Sequence, residues 1–380
     1  MPAFTRDEFL QRLQETKRRM ADAGLDALVV IEQFNLNYLS GYEGQSAYVP
    51  QCLVVIATEE EPRLIVRDMD TNGSDTFLRQ SSIFGYPEDY IAHQRMHPYD
   101  YFADLFRQWK IDGKRIGIEL DCLTPNTYDR LRSNLPNARF SDVGHLVTWQ
   151  RLKKSQTELL YMRQAGEIAD LGMQAAYDNL AVGKRGCDVA AEVAAALIRG
   201  TPEFGGDRIP GLDMPAGPRS GNPHLSWNDA LYVNDSQMNI ELGGARLRYV
   251  AALSRTFILG KPTEQMEYVY RATREGVEAV FDQVKPGWTC EQLDALFRRT
   301  TRKHGVEKKS RLGYAIGAGW TEKTASLRTG DQTVLEPDMT FHLMAGMWYD
   351  TWGYILSETF QVTDKGIVTL SKFPRDLLAK

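Results

Sequence analysis

The sequence predicts two domains of different class, an α/β domain over residues 1–150 and an α+β domain over residues 151–380. Three observations predict this. Short apolar runs alternate with helical spacing through the first domain. A long helix with its own start signal opens just after residue 150. Beyond it, helices and strand-like runs are grouped rather than alternating.

The elements follow in order. Phe9, Leu10, Leu13 and Met20 recur near helical spacing, and Gly24 stands where a helix stop belongs. DALVVI is a short apolar run of the kind a buried strand needs. CLVVIA and PRLIVRD are two more strands with EEEP as the turn between them, and RIGIEL is another. Helices are expected around Tyr101–Trp109 and Thr127–Ser133. Ser155 and Glu158 form an S-x-x-E capping box at the head of the long helix, each side chain satisfying the other residue's free backbone N–H. A helix is expected at Cys187–Arg199, then a Gly- and Pro-rich loop over 204–224. MNIELGGARLRYVAALSRTFILG follows, with Gly243–Gly244 expected as a hairpin turn. Two further helices are expected around 264–284 and 290–304, and the aromatic-rich tail from Met339 is strand-like.

Composition excludes several functions. A net charge of −5, with scattered basic residues, argues against nucleic acid and anionic membranes as partners. Cys52, Cys122, Cys187 and Cys290 are far apart with no CxxC, so neither a disulfide framework nor a zinc knuckle is expected, and a reducing cytoplasm fits. The first 25 residues lack the continuous apolar stretch of a signal peptide, and no run approaches a membrane span.

The motifs resemble those of a known family. Arg151–Ala165 (R-L-x-K-S-x-x-E-L-x-x-M-R-x-A), NLNYLSGYEG at Asn35–Gly44 and KPGWT at 285–289 are similar to segments of prolidase, aminopeptidase P and creatinase, in the same order along the chain. The resemblance implies a creatinase/prolidase-type N-terminal domain, a pita-bread catalytic domain, and a homodimer whose active site is completed by the partner's N-terminal domain. Metallopeptidases of the family hold two metals through two Asp, one His and two Glu. Those positions fall here on Glu241, Ala252, Tyr314, Met344 and Ser357, the last unless Glu358 has shifted register. Four non-ligands in five positions imply no metal and no cofactor. No pair of the other histidines has metal-ligand spacing.

One family residue survives. SGNPHLSW matches the segment that carries a catalytic His, which lands on His224. Ala252-Leu253-Ser254-Arg255-Thr256 is similar to A-L-x-R-T of creatinase, a metal-free member, but Ser254 replaces the Glu that holds creatine. A closer resemblance is to bacterial ectoine hydrolases, through YVPQ (Tyr48–Gln51), the GYP and HP-x-DY run (Gly85–Tyr101), Arg248-Tyr249, GYAIG, TASLRTGD and FHLMAGMW. Gln45 and Ala47 depart from the aromatic pair expected in that group.

The expected chemistry is metal-independent opening of a cyclic amidine, ectoine or 5-hydroxyectoine, to an N-acetyl-diaminobutyrate. A protonated amidine already has an electrophilic carbon, whereas a peptide carbonyl usually needs a Lewis acid. Glu241 is the expected amidinium partner, or else the nucleophile. The bland reading is a solvated residue beside a turn. Glu358 is the expected second carboxylate, against the alternative of a salt-bridged strand residue. His224 is the expected proton shuttle, although a lone His is more often structural. Tyr314, His342, Arg248, Tyr48 and Trp320 are expected substrate contacts; core packing is the ordinary alternative for Tyr314, His342 and Trp320. The expected ligand is therefore a small cationic or zwitterionic molecule. Three other readings stay open: a creatinase-like hydrolase of another guanidine or amidine, a metal-dependent Xaa-Pro peptidase, and a non-enzymatic peptide binder.

Overall fold

A computed structural model describes residues 3–44, 46, 48–72 and 76–380. Gln45 and Ala47 lie outside the described residues. The chain divides into two compact units, residues 1–150 and 151–380.

Unit 1 is built on strands β1 (Ala27–Val30), β2 (Cys52–Ile56), β3 (Arg63–Arg67), β4 (Ile83–Tyr86), β5 (Arg115–Ile118) and β6 (Arg139–Asp142). Their order in the sheet is β4-β3-β2-β1-β5-β6. Helices α1 (Arg6–Asp22), α2 (Gln33–Ser40), α3 (Pro98–Gln108), α4 (Pro125–Asn134) and α5 (Leu146–Gln150) complete it. Both faces of the central strands β1 and β2 are buried, which is why they read as unbroken apolar runs. Ala27 and Val29 pack into one core with Phe102 and Phe106, while Leu28 and Val30 pack into the other with Leu13 and Leu36. Asn35 of the NLNYLSG motif donates to the buried carboxylate of Glu119, which also accepts the backbone N–H groups of Ile31 and Glu32.

Unit 2 opens with α6 (Gln156–Asn179). Its capping box forms as the sequence predicts: Ser155 Oγ accepts from the Glu158 N–H, and Glu158 accepts from the Ser155 N–H at 2.7 Å. The remaining helices are α7 (Gly186–Arg199), α8 (Glu264–Gln283) and α9 (Cys290–Arg302). The strands are β7 (Leu212–Asp213), β8 (Ser236–Arg246), β9 (Tyr249–Leu259), β10 (Gly313–Ala315), β11 (Ser326–Leu327), β12 (Thr340–Trp348), β13 (Gly353–Thr363), β14 (Gly366–Thr369) and β15 (Leu378–Ala379). The main path through the sheet is β11-β10-β12-β13-β9-β8-β7, with β14 on β13 and β15 on β9.

Strand alternation sorts the two faces of this sheet. Ile240, Leu242, Leu253 and Phe257 pack against α6 and α7, and Phe341, Leu343, Leu356 and Phe360 pack against α8 and α9. Each such fully buried side chain contributes about 1.5–3 kcal/mol. The intervening residues face the other way, and many of them are polar.

The hairpin turn is not where the sequence predicts it. Gly243 and Gly244 lie inside β8, opposite Ala252 and Ala251, and the chain reverses at Leu247 and Arg248, both at positive φ. The glycines are there for close approach. A Cβ on Gly244 would come within 2.1 Å of the Ala165 carbonyl oxygen of α6, and one on Gly243 within 2.6 Å of the Trp320 ring. No helix among the described residues is long and apolar enough to cross a membrane.

Candidate active site

Register builds the site. In an antiparallel pair, directly opposed residues share a face. Asp213 opposes Glu241, Glu241 opposes Ser254, Ser254 opposes Ser357, and Ser357 opposes Met344. One row of side chains therefore runs across five strands. His342 is two residues from Met344 on the same face and opposes Tyr314.

A chain of hydrogen bonds runs alongside this row. Trp320 Nε1 donates to the Tyr314 hydroxyl at 2.9 Å, and that hydroxyl lies 3.1 Å from His342 Nδ1. His342 Nε2 lies 2.8 Å from Ser357 Oγ, which donates to Ser254 Oγ at 2.9 Å. The direction follows from the inventory of donors. Ser357 gives its proton to Ser254 and so accepts from His342 Nε2–H, which leaves Nδ1 to accept from the Tyr314 hydroxyl. Each hydroxyl then passes its proton toward Ser254, whose own proton is left for its cross-strand neighbour Glu241 or for a ligand. Burial, reinforced by the charge of Arg311, pushes His342 down to about 3, so it is a neutral imidazole and not an acid–base group at ordinary pH.

The acidic end of the row is electrostatically unusual. Burial first, and then the neighbouring Asp213 charge, push Glu241 up to about 7. Asp213 is itself raised by burial and eased by the charge of His224. His224 is an exposed loop residue whose backbone N–H donates to Asn222 Oδ1 at 3.0 Å. Two side-by-side carboxylates with no cationic side chain bonded to them among the described residues are costly to ionise together. They are a place for a cation to lodge.

Glu358 is a correction. It neighbours Ser357 in sequence and so points to the opposite face, the one covered by helices. It is buried, accepts from Arg255 Nη2 at 2.8 Å, and also accepts from Arg375 and Thr369. It does not bracket a ligand with Glu241. Arg255 spends its other donors on the carbonyls of Ser254, Ser357, Phe373 and Pro374, clamping β9 to β13 beneath the polar row.

Arg248 is a second correction. It occupies the turn seven residues beyond Glu241, about 20 Å at ordinary strand rise. Its backbone N–H donates to Asp207 Oδ2 at 2.8 Å. Tyr48 belongs to unit 1, where its hydroxyl accepts from Arg67 at 2.7 Å and its ring borders a cleft with Gln51, His97 and Thr124. Glu241, Tyr314, His342 and Trp320 thus share the polar face of the unit 2 sheet, with His224 in electrostatic reach of Asp213, while Glu358 and Arg248, also in unit 2, lie off that face.

Two site residues escaped the sequence reading. Asp213 sits in a two-residue strand inside a Gly- and Pro-rich segment, with no periodic signal to expose it. Arg311 precedes the short strand β10, and its guanidinium carbon stands 4.4 Å from the centre of the Tyr314 ring.

Two dications do not fit this donor set. Of the five family ligand positions only Glu241 carries an anion, and Asp213 adds one more. Hard dications take several oxygen ligands each. Among the described residues no group of three His, Cys, Asp or Glu side chains converges as a metal site.

Comparison with known proteins places these features. Residues 161–364 match Metallopeptidase family M24, and residues 12–153 match the Creatinase/Prolidase N-terminal domain. The chain is 41% identical over 378 residues to the "Uncharacterized hydrolase/peptidase y4tL" of Sinorhizobium fredii, covering 98% of this chain and 97% of that one. It is 36% identical over 395 residues to the ectoine hydrolase of Halomonas elongata, covering 99% and 98%. The fold is that of dipeptidase PepE from Mycobacterium ulcerans, with a TM-score of 0.83 at 21% identity and 99% of each chain covered. The prolidase of Pyrococcus horikoshii gives 0.82 at 22% identity, covering 97% of this chain and 100% of that one.

Proposed function

The chain belongs to the creatinase–prolidase superfamily, with a Creatinase/Prolidase N-terminal domain and an M24 pita-bread domain, and from that premise we propose that it is a metal-independent hydrolase of a cyclic amidine, ectoine or 5-hydroxyectoine. The observation that carries this reading is the Asp213–Glu241 pair: two partly buried carboxylates, with no cationic side chain of this chain bonded to them among the described residues. A cyclic amidinium donates charge-assisted hydrogen bonds from its two diverging ring N–H groups and would draw Glu241 into its ionised form. The 36% identity to an ectoine hydrolase supports the choice of amidine.

The reaction adds water across the amidine. An oxygen bonds to the amidine carbon, one ring C–N bond breaks, the carbon becomes the amide carbonyl, and the departing nitrogen takes a proton. Asp213 and Glu241 hold the cation. His224, within electrostatic reach of Asp213, is the proton carrier, taking a proton from the attacking water and returning it to nitrogen. Ser254 stands opposite Glu241 on the next strand, its hydroxyl on the same face. The homodimer implied by the resemblance, with the partner's unit 1 completing the site, belongs to this reading.

Xaa-Pro dipeptidases of 24% identity stand behind a second reading, a metal-dependent peptidase. The donor set weighs against it. The test is incubation of chelator-treated protein with ectoine, 5-hydroxyectoine, creatine and an Xaa-Pro dipeptide, followed by NMR. Opening of an ectoine, unaffected by chelator, is expected. Dipeptide cleavage restored by manganese would overturn the proposal.

A further inference from the structure

The hydrogen-bond chain of unit 2 ends on Ser254. Trp320 donates to Tyr314 at 2.9 Å, Tyr314 to His342 Nδ1 at 3.1 Å, His342 Nε2 to Ser357 Oγ at 2.8 Å, and Ser357 to Ser254 Oγ at 2.9 Å. Every bond in the chain runs the same way. Ser254 therefore receives a proton, and its own is bonded to no acceptor among the described residues. The side chain is fully buried, where a donor left unmade is costly. It is a place for an acceptor atom of a ligand.

The row changes character at this point. Asp213 and Glu241 are acceptors, and Ser254 is the next residue on the same face, directly opposite Glu241. Opposed Cα atoms of an antiparallel pair lie about 4.5–5.5 Å apart. A small molecule whose N–H groups bond the carboxylates thus brings its neighbouring atoms to the Ser254 hydroxyl.

The backbone fixes that hydroxyl in advance. Ser254 and Ser357 form the one register pair between β9 and β13. Arg255 Nη1 donates to both of their carbonyls, at 2.9 and 2.7 Å. On either side a threonine bridges the two strands: Thr359 Oγ1 accepts from the Ala252 N–H at 2.9 Å, and Thr256 Oγ1 from the Ile355 N–H at 2.8 Å. A donor oriented before reaction pays no reorganisation when charge develops on an oxygen beside it.

We infer that Ser254 is a catalytic residue, whose hydroxyl donates a hydrogen bond to the oxygen that is added to the amidine carbon. This rests on the hydrolase reading above. An amidine carbon bears no oxygen, so the bond forms only as the water oxygen joins that carbon, and it remains as the oxygen becomes the amide carbonyl. Ser254 keeps its proton throughout, and proton transfer stays with His224 and the departing nitrogen.

The test measures kcat and KM for ectoine against pH in wild-type protein, Ser254→Ala and Ser357→Ala, with calorimetry on ectoine and on its opened amide product. Ser254→Ala is expected to lower kcat roughly 10²-fold, as for loss of one oxyanion donor, with KM little changed. Ser357→Ala removes the hydroxyl that turns Ser254 outward, and it lowers kcat by less. The rising limb of the pH profile stays at its wild-type position in both. Ser254→Ala binds ectoine as wild type does, which shows an intact site, and binds the amide product roughly 2- to 10-fold more weakly. An unchanged kcat in Ser254→Ala overturns the inference. So does a loss confined to KM, or a moved limb, which would make Ser254 a support for Glu241. Full kcat in Ser357→Ala would remove the chain from the mechanism, and the inference with it. If wild-type protein opens neither ectoine, the hydrolase reading fails and binding still decides Ser254. Weaker binding of the amide alone keeps Ser254 as the donor to an amide oxygen, and any other pattern ends the assignment.

Discussion

Asp213 stands directly opposite Glu241 across β7 and β8, so that two carboxylates share one face of the sheet as nearest cross-strand neighbours. Burial and the Asp213 charge set Glu241 near neutrality, and the consequences can be measured.

Only the ionised form of Glu241 attracts a cation. We predict that kcat/KM toward a cationic substrate rises with pH through a limb near 7. Asp213→Asn removes the neighbouring negative charge, so the limb moves to lower pH. A pH–rate profile with an unmoved limb in that variant would show that Asp213 does not act on Glu241.

Glu241 should also cost stability. Its folded pKa lies above its ordinary value of 4.5, so the ionised form is disfavoured in the fold. The native state holds the proton more tightly than the unfolded chain, and stability falls as pH rises from about 4.5 to 7. Glu241→Gln is predicted to abolish turnover and yet raise Tm at pH 8, with a gain of about 1 kcal/mol, or ~2–4 °C. Below pH 4 the gain disappears. Thermal melts at the two pH values decide the matter; an equal Tm change at both would point to packing instead of charge.

Glu358 has the opposite character. With Arg255 it forms an ion pair in which both side chains are 1% exposed. Glu358→Ala leaves the Arg255 charge buried without its carboxylate, and the expected loss is about 3–5 kcal/mol in urea unfolding. KM of the surviving folded fraction should stay close to wild type. Intact stability with a lost kcat would instead return Glu358 to the chemistry.

His342 is predicted to be silent in pH profiles. Pushed down to about 3, it contributes no limb near 6.5. His342→Phe takes one partner from each of the Tyr314 and Ser357 hydroxyls, which keep Trp320 and Ser254, at about 1 kcal/mol for each bond lost. Denaturant unfolding checks the cost. A wild-type limb near 6.5 that vanishes in this variant would make His342 an acid–base group after all.

Much of the fold was legible because local rules suffice for it. The Ser155–Glu158 box forms as written, since capping needs only residues three apart. The apolar runs at Ala27, Cys52 and Arg63 are strands because β-strand packing on two faces demands that composition. The turn was misplaced because a Gly-Gly pair signals both a reversal and a close approach. Only the packing of Ala165 and Trp320 against β8 distinguishes the two. Asp213 and Arg311 were missed for a related reason. Each lies in or beside a strand of two or three residues, too short for any periodicity to mark its face.

The sequence by itself determined the family, the two-unit layout, and the loss of ligands at Ala252, Tyr314, Met344 and Ser357, because each of these is a matter of residue identity in a fixed order. The tertiary structure alone decided which carboxylate accompanies Glu241. Glu358 and Ser357 are adjacent in the chain, and a strand sends adjacent side chains to opposite faces. Asp213, 28 residues before Glu241, is its neighbour because an antiparallel register brings distant residues into direct opposition.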